Sequence, residues 1–315
     1  MRSSLARASR INEGGNVFTG TDRIKREHIK PTLLQFFKEF SRIFPKAEPH
    51  FKFIKTLGSV GKKDYSGDID LALDEKSLDS LEDWGISQEE INNLFITFKK
   101  RARSASDASL LKKAFIVAVA EKIETSNSDI QADTKGSSAG ALFLNAPQFN
   151  EQGEFLGKHV QVDINIGNVD WLSFAYYSNT YQGNVKGLHR TQLMLAMFAN
   201  KGYTFSHNYG VKSKESNEVV ASTPEQALNI LNKEYSIDLT QEELSDYFDL
   251  IETIREDLPE FEQKAIFDRY LKILDSTRAD IPEDLQEYWK ENQERLGLTG
   301  KFLPDNSKLV PYKKQ

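Results

Sequence analysis

The chain contains no cysteine among its 315 residues. That absence excludes disulfides, thiolate metal sites and cysteine nucleophiles, and it is compatible with a reducing, cytoplasmic setting. No apolar run approaches the length needed to cross a membrane as a helix. The basic start, MRSSLARASR, is not followed by an apolar stretch, so it is read as an arm and not as a secretory signal. There is no internal repeat, and His159, His189 and His207 are scattered too widely to suggest a histidine metal site. A basic excess is also missing. Lysine and arginine number 41 against 47 aspartate and glutamate, for a formal net charge of -6. Basic residues lead only from Arg2 to Lys30 and around Lys99–Arg103 and Lys112–Lys113. Residues 225–295 are strongly acidic, so a path for polyanions should avoid them. The Lys99–Arg103 run is read as a solvated helix face.

Several segments have a clear period. Residues 1–30 read as a flexible arm. A helix is expected after Pro31 through LLQFFKEFSRIF, ended by Pro45 and Pro49. Strands are expected at FKFIKTL (51–57) and DIDLAL (68–73). Residues 75–125 read as a polar helical insertion, its first helix opened by a capping box at Ser87 and Glu90. A hairpin follows: SAGALFLNAP as one arm, QFNEQGEFLG as the connection, and HVQVDINIG returning. WLSFAYYSNTYQGN reads as irregular and aromatic. GLHRTQLMLAMFANKG reads as a helix ending at Gly202. A helix at TPEQALNILNKEY and two or three acidic helices come next, then an extended tail.

The chemistry concentrates in LGSVGKKDYSGDIDLAL. Asp68 and Asp70 lie two apart on a strand, so both carboxylates share a face while Ile69, Leu71 and Leu73 share the other. Two like charges so close call for a cation, and hard oxygen donors suit Mg²⁺ or Mn²⁺. VQVDINI supplies a third strand carboxylate, Asp163. Gly58 and Ser59 sit where a strand should give way to a short helix, a place that offers backbone N–H groups to phosphate. Lys62, Lys63 and Ser66 add charge and donors for a triphosphate. Asp64 and Asp74 fall outside the expected metal site. Arg190 is read as a helix-surface residue, with reach to a triphosphate as its alternative. Trp171, Phe174, Tyr176 and Tyr177 are candidates for stacking a base or for simple core packing.

GSVGKKDYSGDIDLAL resembles the signature of the DNA polymerase β-like nucleotidyltransferase superfamily: Gly-Ser, a spaced acid–x–acid, and a third acid on a later strand. DTKGSSAGALFLNAPQFNEQGEFLGKHVQVDINIG is similar to the palm hairpin of the family X DNA polymerases. GLHRTQLMLAMFANKGYTFSHNYGV looks like the segment after it, and STPEQALNILNKEY is more weakly similar to the next element. The likeness covers residues 50–235 apart from the 75–125 segment. It implies an α+β fold with a mixed palm sheet flanked by helices. It also implies two Mg²⁺ or Mn²⁺ ions held by Asp68, Asp70 and Asp163, with Asp163 nearest the attacking hydroxyl, and a nucleoside triphosphate donor bound at Gly58, Ser59, Lys62, Lys63 and Ser66. RINEGGNVF is similar to uncharacterised bacteriophage nucleotidyltransferase-like proteins, which would make the location a host cytoplasm.

The expected domains are an arm (1–30), a catalytic palm (31–202), a thumb-like acidic helical region (203–300) and a tail (301–315). The chain departs from the repair polymerases in lacking a recognisable helix–hairpin–helix ahead of Phe51. YYSNTYQGNVKG, with Tyr176, Tyr177 and Tyr181, does not align with their sugar-reading segment, and both sugars stay open. A nucleic-acid 3′ end is the expected acceptor. A protein or small-molecule acceptor, or a non-catalytic phage interaction protein on this scaffold, are the rivals.

Overall fold

The computed structural model describes residues 17–51, 54–102, 105–134, 140–177 and 185–299. The expected tail, the first residues of the arm, Tyr181 and the Lys135–Gly136 start of the hairpin lie outside them. The described residues divide into two compact units, 17–173 and 174–299.

The first unit is built on a five-stranded mixed sheet. β2 (Lys55–Thr56), β4 (Asp68–Asp74), β7 (Phe155–Gly167), β6 (Ala141–Phe149) and β5 (Gln131–Ala132) lie side by side in that order. β4 and β7 run parallel, while the other neighbours are antiparallel. One face is apolar. Ile69, Leu71 and Leu73 on β4, Val160, Val162, Ile164 and Ile166 on β7, and Leu142, Leu144 and Ala146 on β6 are all buried. That face joins one core with α1 (Arg26–Ile43) and α4 (Asp107–Thr125). Trp84 sits in this core with Phe40, Phe44 and Phe115 around it, ring centroids 5.3–6.3 Å away. Emptying such a site typically costs about 3–5 kcal/mol.

Three local expectations change. α1 begins at Arg26, not after Pro31, which lies inside it. Its start is fixed by β1 (Ile24–Lys25), which pairs with β3 (Tyr65–Ser66). The expected 51–57 strand shrinks to β2, preceded by a one-turn helix α2 (Glu48–Phe51). Residues 75–125 are helical as expected, but not polar throughout. α3 (Gln88–Arg101) carries the capping box and the solvated Lys99–Arg101 face. α4, however, buries Leu110, Lys112, an unbroken run from Ala114 to Ala120, and Ile123. Two parallel strands cannot be joined by a hairpin, and these helices form part of the long connection that returns the chain parallel to β4. Lys112 fits because its amine donates to the Ile166 carbonyl at 2.8 Å while its stem packs.

The second unit is mainly helical. α5 (Val169–Ala175), most of which belongs to the first unit, covers the described start of the expected irregular stretch, and α6 (Gly187–Asn200) follows in the second. A small antiparallel sheet of β8 (Tyr203–Ser206), β9 (Gly210–Ser213) and β10 (Val219–Ala221) comes next. α7 (Pro224–Tyr235) and four further helices complete it: α8 (Gln241–Ser245), α9 (Tyr247–Asp257), α10 (Glu260–Thr277) and α11 (Gln286–Leu296).

Candidate metal centre and phosphate turn

The polar face of the sheet carries the aspartates. The β4–β7 register sets Asp70 directly beside Asp163 and Asp68 beside Gln161. Neighbouring strands run about 4.8 Å apart and alternate residues about 6.6 Å apart, so the three carboxylates occupy one small patch. The same alternation sets Gln161, Asp163 and Asn165 in a row along β7.

All three aspartates are half-buried. Burial pushes each carboxyl above its ordinary range. The charges of Asp68 and Asp163 raise Asp70 further, and a hydrogen bond from Asn165 only partly offsets them. Asp163 is pushed up to about 7, by burial first and then by Asp68. Among the described residues no cation offsets this repulsion; the charges acting on the trio are its own. Hard, clustered, uncompensated oxygen donors fit a divalent cation such as Mg²⁺ or Mn²⁺. Among the described residues no three acidic or histidine side chains already converge on a single point. The strands fix the aspartate backbones, and the terminal carboxylate torsion is broad.

Two residues that the sequence did not single out hold the third aspartate. Gln161 Nε2 donates to Asp163 Oδ1 at 2.8 Å, and Gln161 Oε1 accepts from the Val17 amide at 3.1 Å. The bond from Val17 orients the Gln161 amide, so the donating end faces Asp163. Strict alternation in VQVDINI marks Gln161 and Asn165 as partners on the same face. Nothing in the sequence marks Val17.

Gly58 and Ser59 leave the sheet beside the trio. The Leu57 amide donates to the Asp70 carbonyl at 2.8 Å, which extends the β2–β4 pairing to the point where the turn begins. Gly58 adopts φ of +59°, a conformation glycine enters without a Cβ penalty. The expected short helix is absent. Two successive turns stand there instead, Val60 N–H to Leu57 O and Lys62 N–H to Ser59 O. The amides of Gly58 and Ser59 have no backbone acceptor among the described residues.

The remaining expected phosphate ligands divide. Arg26 donates to the Lys62 and Lys63 carbonyls at 2.9 and 3.2 Å, which pins the loop and keeps both lysines near the turn. Burial lowers the Lys62 amine. Ser66 is 2% exposed, and its hydroxyl is buried without a hydrogen-bond partner among the described residues. It faces the core because Tyr65 takes the outer side of the two-residue strand, so Ser66 is not a ligand for triphosphate in this conformation.

Other candidates resolve as structure. Arg190 is fully buried: it donates to the carbonyls of Leu244 (2.8 Å), Phe174 (2.6 Å) and Tyr177 (3.2 Å) and lies over the Phe174 ring. It is neither a surface residue nor a triphosphate ligand here. Trp171 and Phe174 are core residues. Within its own unit, His189 accepts from the Lys186 amide at Nδ1 and donates from Nε2 to the Asp280 carbonyl. An open cleft of about 440 Å³ lies at the far end of β4 and β7, lined by Lys55, Asp74, Glu75, Lys76, Asn168 and Asp170, and the aspartate trio is not part of it.

No family model matches the chain. No curated protein matches it either. Among solved structures it is similar to the Leishmania infantum polymerase beta in two complexes. The ternary P/T complex shows 13% identity over 71% of this chain and 77% of that chain, with a TM-score of 0.37. The ternary gap complex shows 13% identity over 70% and 69%, with a TM-score of 0.36. At this level the likeness adds nothing to what the residues of the site carry.

Proposed function

We propose that the protein is a divalent-metal-dependent nucleotidyltransferase that moves a nucleoside monophosphate from a (d)NTP to the 3′ hydroxyl of a nucleic acid. The observation that carries the reading is the trio itself: Asp70 paired with Asp163 on parallel strands and Asp68 on the same face, with no cation offsetting them among the described residues. Asp68, Asp70 and Asp163 would hold Mg²⁺ or Mn²⁺, two ions in this class of chemistry, which lower the pKa of an attacking hydroxyl and neutralise the triphosphate and leaving pyrophosphate.

The residues of the chain do the rest. The Gly58 and Ser59 amides, which have no backbone acceptor among the described residues, lie in a turn whose start is bonded to Asp70, and would serve as a donor pair for phosphate oxygens. Lys62 and Lys63 add positive charge there. Gln161 orients Asp163, the carboxylate assigned to the acceptor side. The acceptor oxygen forms a bond to the α-phosphorus as the bond to the bridging oxygen of pyrophosphate breaks, and the hydroxyl proton is released. Such a reaction needs positioning and charge stabilisation and no covalent enzyme adduct.

A second acceptor class is favoured by one feature. Helices α8 to α11 are rich in acid, as expected of a protein that modifies another protein or a small molecule and unlike a DNA-gripping surface. One experiment separates the readings. The protein is incubated with each α-labelled NTP and dNTP, Mg²⁺ or Mn²⁺, and single-stranded DNA, primer–template, gapped duplex, RNA, tRNA or no acceptor, with Asp163→Ala in parallel. Label on a nucleic-acid end, absent with Asp163→Ala, supports the proposal and names the sugar. Label on protein alone selects the second acceptor class. No label under any condition refutes the enzyme and leaves a nucleotide-binding scaffold.

A further inference from the structure

The ribbon of β1 and β3 stands next to the aspartates and plays no part in holding them. β3 joins β4 through the single residue Gly67, so Tyr65 and Asp68 are three residues apart and their Cα atoms lie within about 11 Å. The other strand arrives from the same side. Thr21 pairs with His159 on β7, two residues before the point where Asp68 pairs with Gln161. Thr21 and the Asp22 amide thus occupy the position beside β7 ahead of Asp68, and the chain runs on from them into β1.

The two faces of the ribbon differ. Ile24 and Ser66 form the inner pair and are buried. Lys25 and Tyr65 form the outer pair. Tyr65 is 44% exposed, so its ring is open to solvent. Its ring is not left loose. The Arg23 guanidinium lies over it, 5.8 Å from the centroid, and donates to the Tyr65 carbonyl at 3.3 Å. Arg26 fastens the adjoining loop to the start of α1. Across residues 21–30 and 62–66, six basic residues stand against three acidic ones, in a chain whose net charge is -6.

We infer that this ribbon is the landing surface for a single-stranded nucleic-acid segment leading into the aspartate site. Tyr65 stacks a base, and Arg23 and Lys25 face its phosphates. A single strand fits because it can offer an unstacked base to an aromatic ring, whereas the bases of a duplex already stack on one another. The inference deepens the nucleic-acid reading above and rests on it for the identity of the acceptor.

The test is fluorescence anisotropy of a labelled oligo(dT) with the full chain across a salt series. The variants are Tyr65→Ala, Tyr65→Phe and Lys25→Ala, each checked by thermal unfolding. Stabilisation by Mn²⁺ with a non-hydrolysable triphosphate is read alongside. Tyr65→Ala should weaken binding about tenfold, and Tyr65→Phe should leave it close to wild type, because the ring does the stacking. Lys25→Ala should lower the salt slope by about 0.7. Stabilisation by Mn²⁺ and triphosphate should persist in all three. Equal oligonucleotide affinity in wild type and Tyr65→Ala overturns the inference. So does equal displacement of the strand by polyglutamate, which would mean a general anion patch. Absence of Mn²⁺–triphosphate stabilisation in the wild type strikes the metal-site reading instead, and the Tyr65 result is scored separately.

Discussion

Replacing Asp163 by asparagine should make the metal-free protein more stable at neutral pH while destroying the site. The carboxyl of Asp163 rises from an ordinary 3.8 to about 7 on folding. Asparagine has nearly the same shape, and its oxygen can still accept from Gln161. Only the charge is lost. An acid whose folded pKa is raised binds its proton more tightly in the native state. Its cost is therefore absent below about pH 4, grows between pH 4 and 7, and is complete above 7. Three units correspond to about 4 kcal/mol at full weight. Water reaching a half-buried carboxyl reduces that to about 2 kcal/mol. The assay is urea denaturation in EDTA at pH 5 and pH 8. Asp163→Asn should exceed wild type by about 2 kcal/mol at pH 8. The gap should narrow at pH 5, and saturating Mn²⁺ should reverse it by stabilising only the wild type. A variant less stable than wild type in EDTA at pH 8, or a gap that ignores pH, would refute the claim that the trio is strained without a cation.

The other expectations concern residues around the trio and in the second unit. Gln161→Leu removes the donor to Asp163 Oδ1. Mn²⁺ affinity, read by calorimetry, should fall about 10- to 100-fold, as for other residues that orient metal ligands, with little change in Tm. Arg190→Met strands three buried carbonyls that the guanidinium now satisfies. Chemical denaturation should show a loss of about 3 kcal/mol or more, and Lys should not restore it because its amine cannot span the three acceptors. His207 is depressed from 6.5 to about 4, by burial first and then by the Arg190 charge. A base with a lowered folded pKa contributes stability above 6.5 that is lost as pH falls toward 4, about 2 kcal/mol after allowing for partial exposure. His207→Gln should flatten that part of the acid limb, and an unchanged profile would exclude the assignment.

The sequence made the centre of the site legible because strand alternation is a two-residue rule. DIDLAL and VQVDINI each display acids on one face and apolar residues on the other, and the register joins those faces. The hairpin was readable for the same reason, and β6 and β7 simply extend further into the expected connection. What was illegible depended on distant pairing. Ser66 is buried because residues forty positions earlier pair with it. α1 starts early because of that same pairing. α4 carries Lys112 and Lys113, and its burial cannot be seen without knowing that a carbonyl of β7 receives Lys112. Arg190 is legible as a cation on a helix, but the three carbonyls that retain it come from separate segments. The acidic stretch is legible, and caps at Thr240 and Asp246 start its first two helices, α8 and α9, while α10 and α11 start without side-chain caps.

The most direct measurement counts bound Mn²⁺ by electron paramagnetic resonance in the presence of a non-hydrolysable triphosphate. Two ions per chain are expected. Asp70→Ala, with its Tm intact, should lose them. Retention of both ions by Asp70→Ala, or no triphosphate-dependent Mn²⁺ binding by the wild type, would contradict the assignment of Asp68, Asp70 and Asp163 as the metal site.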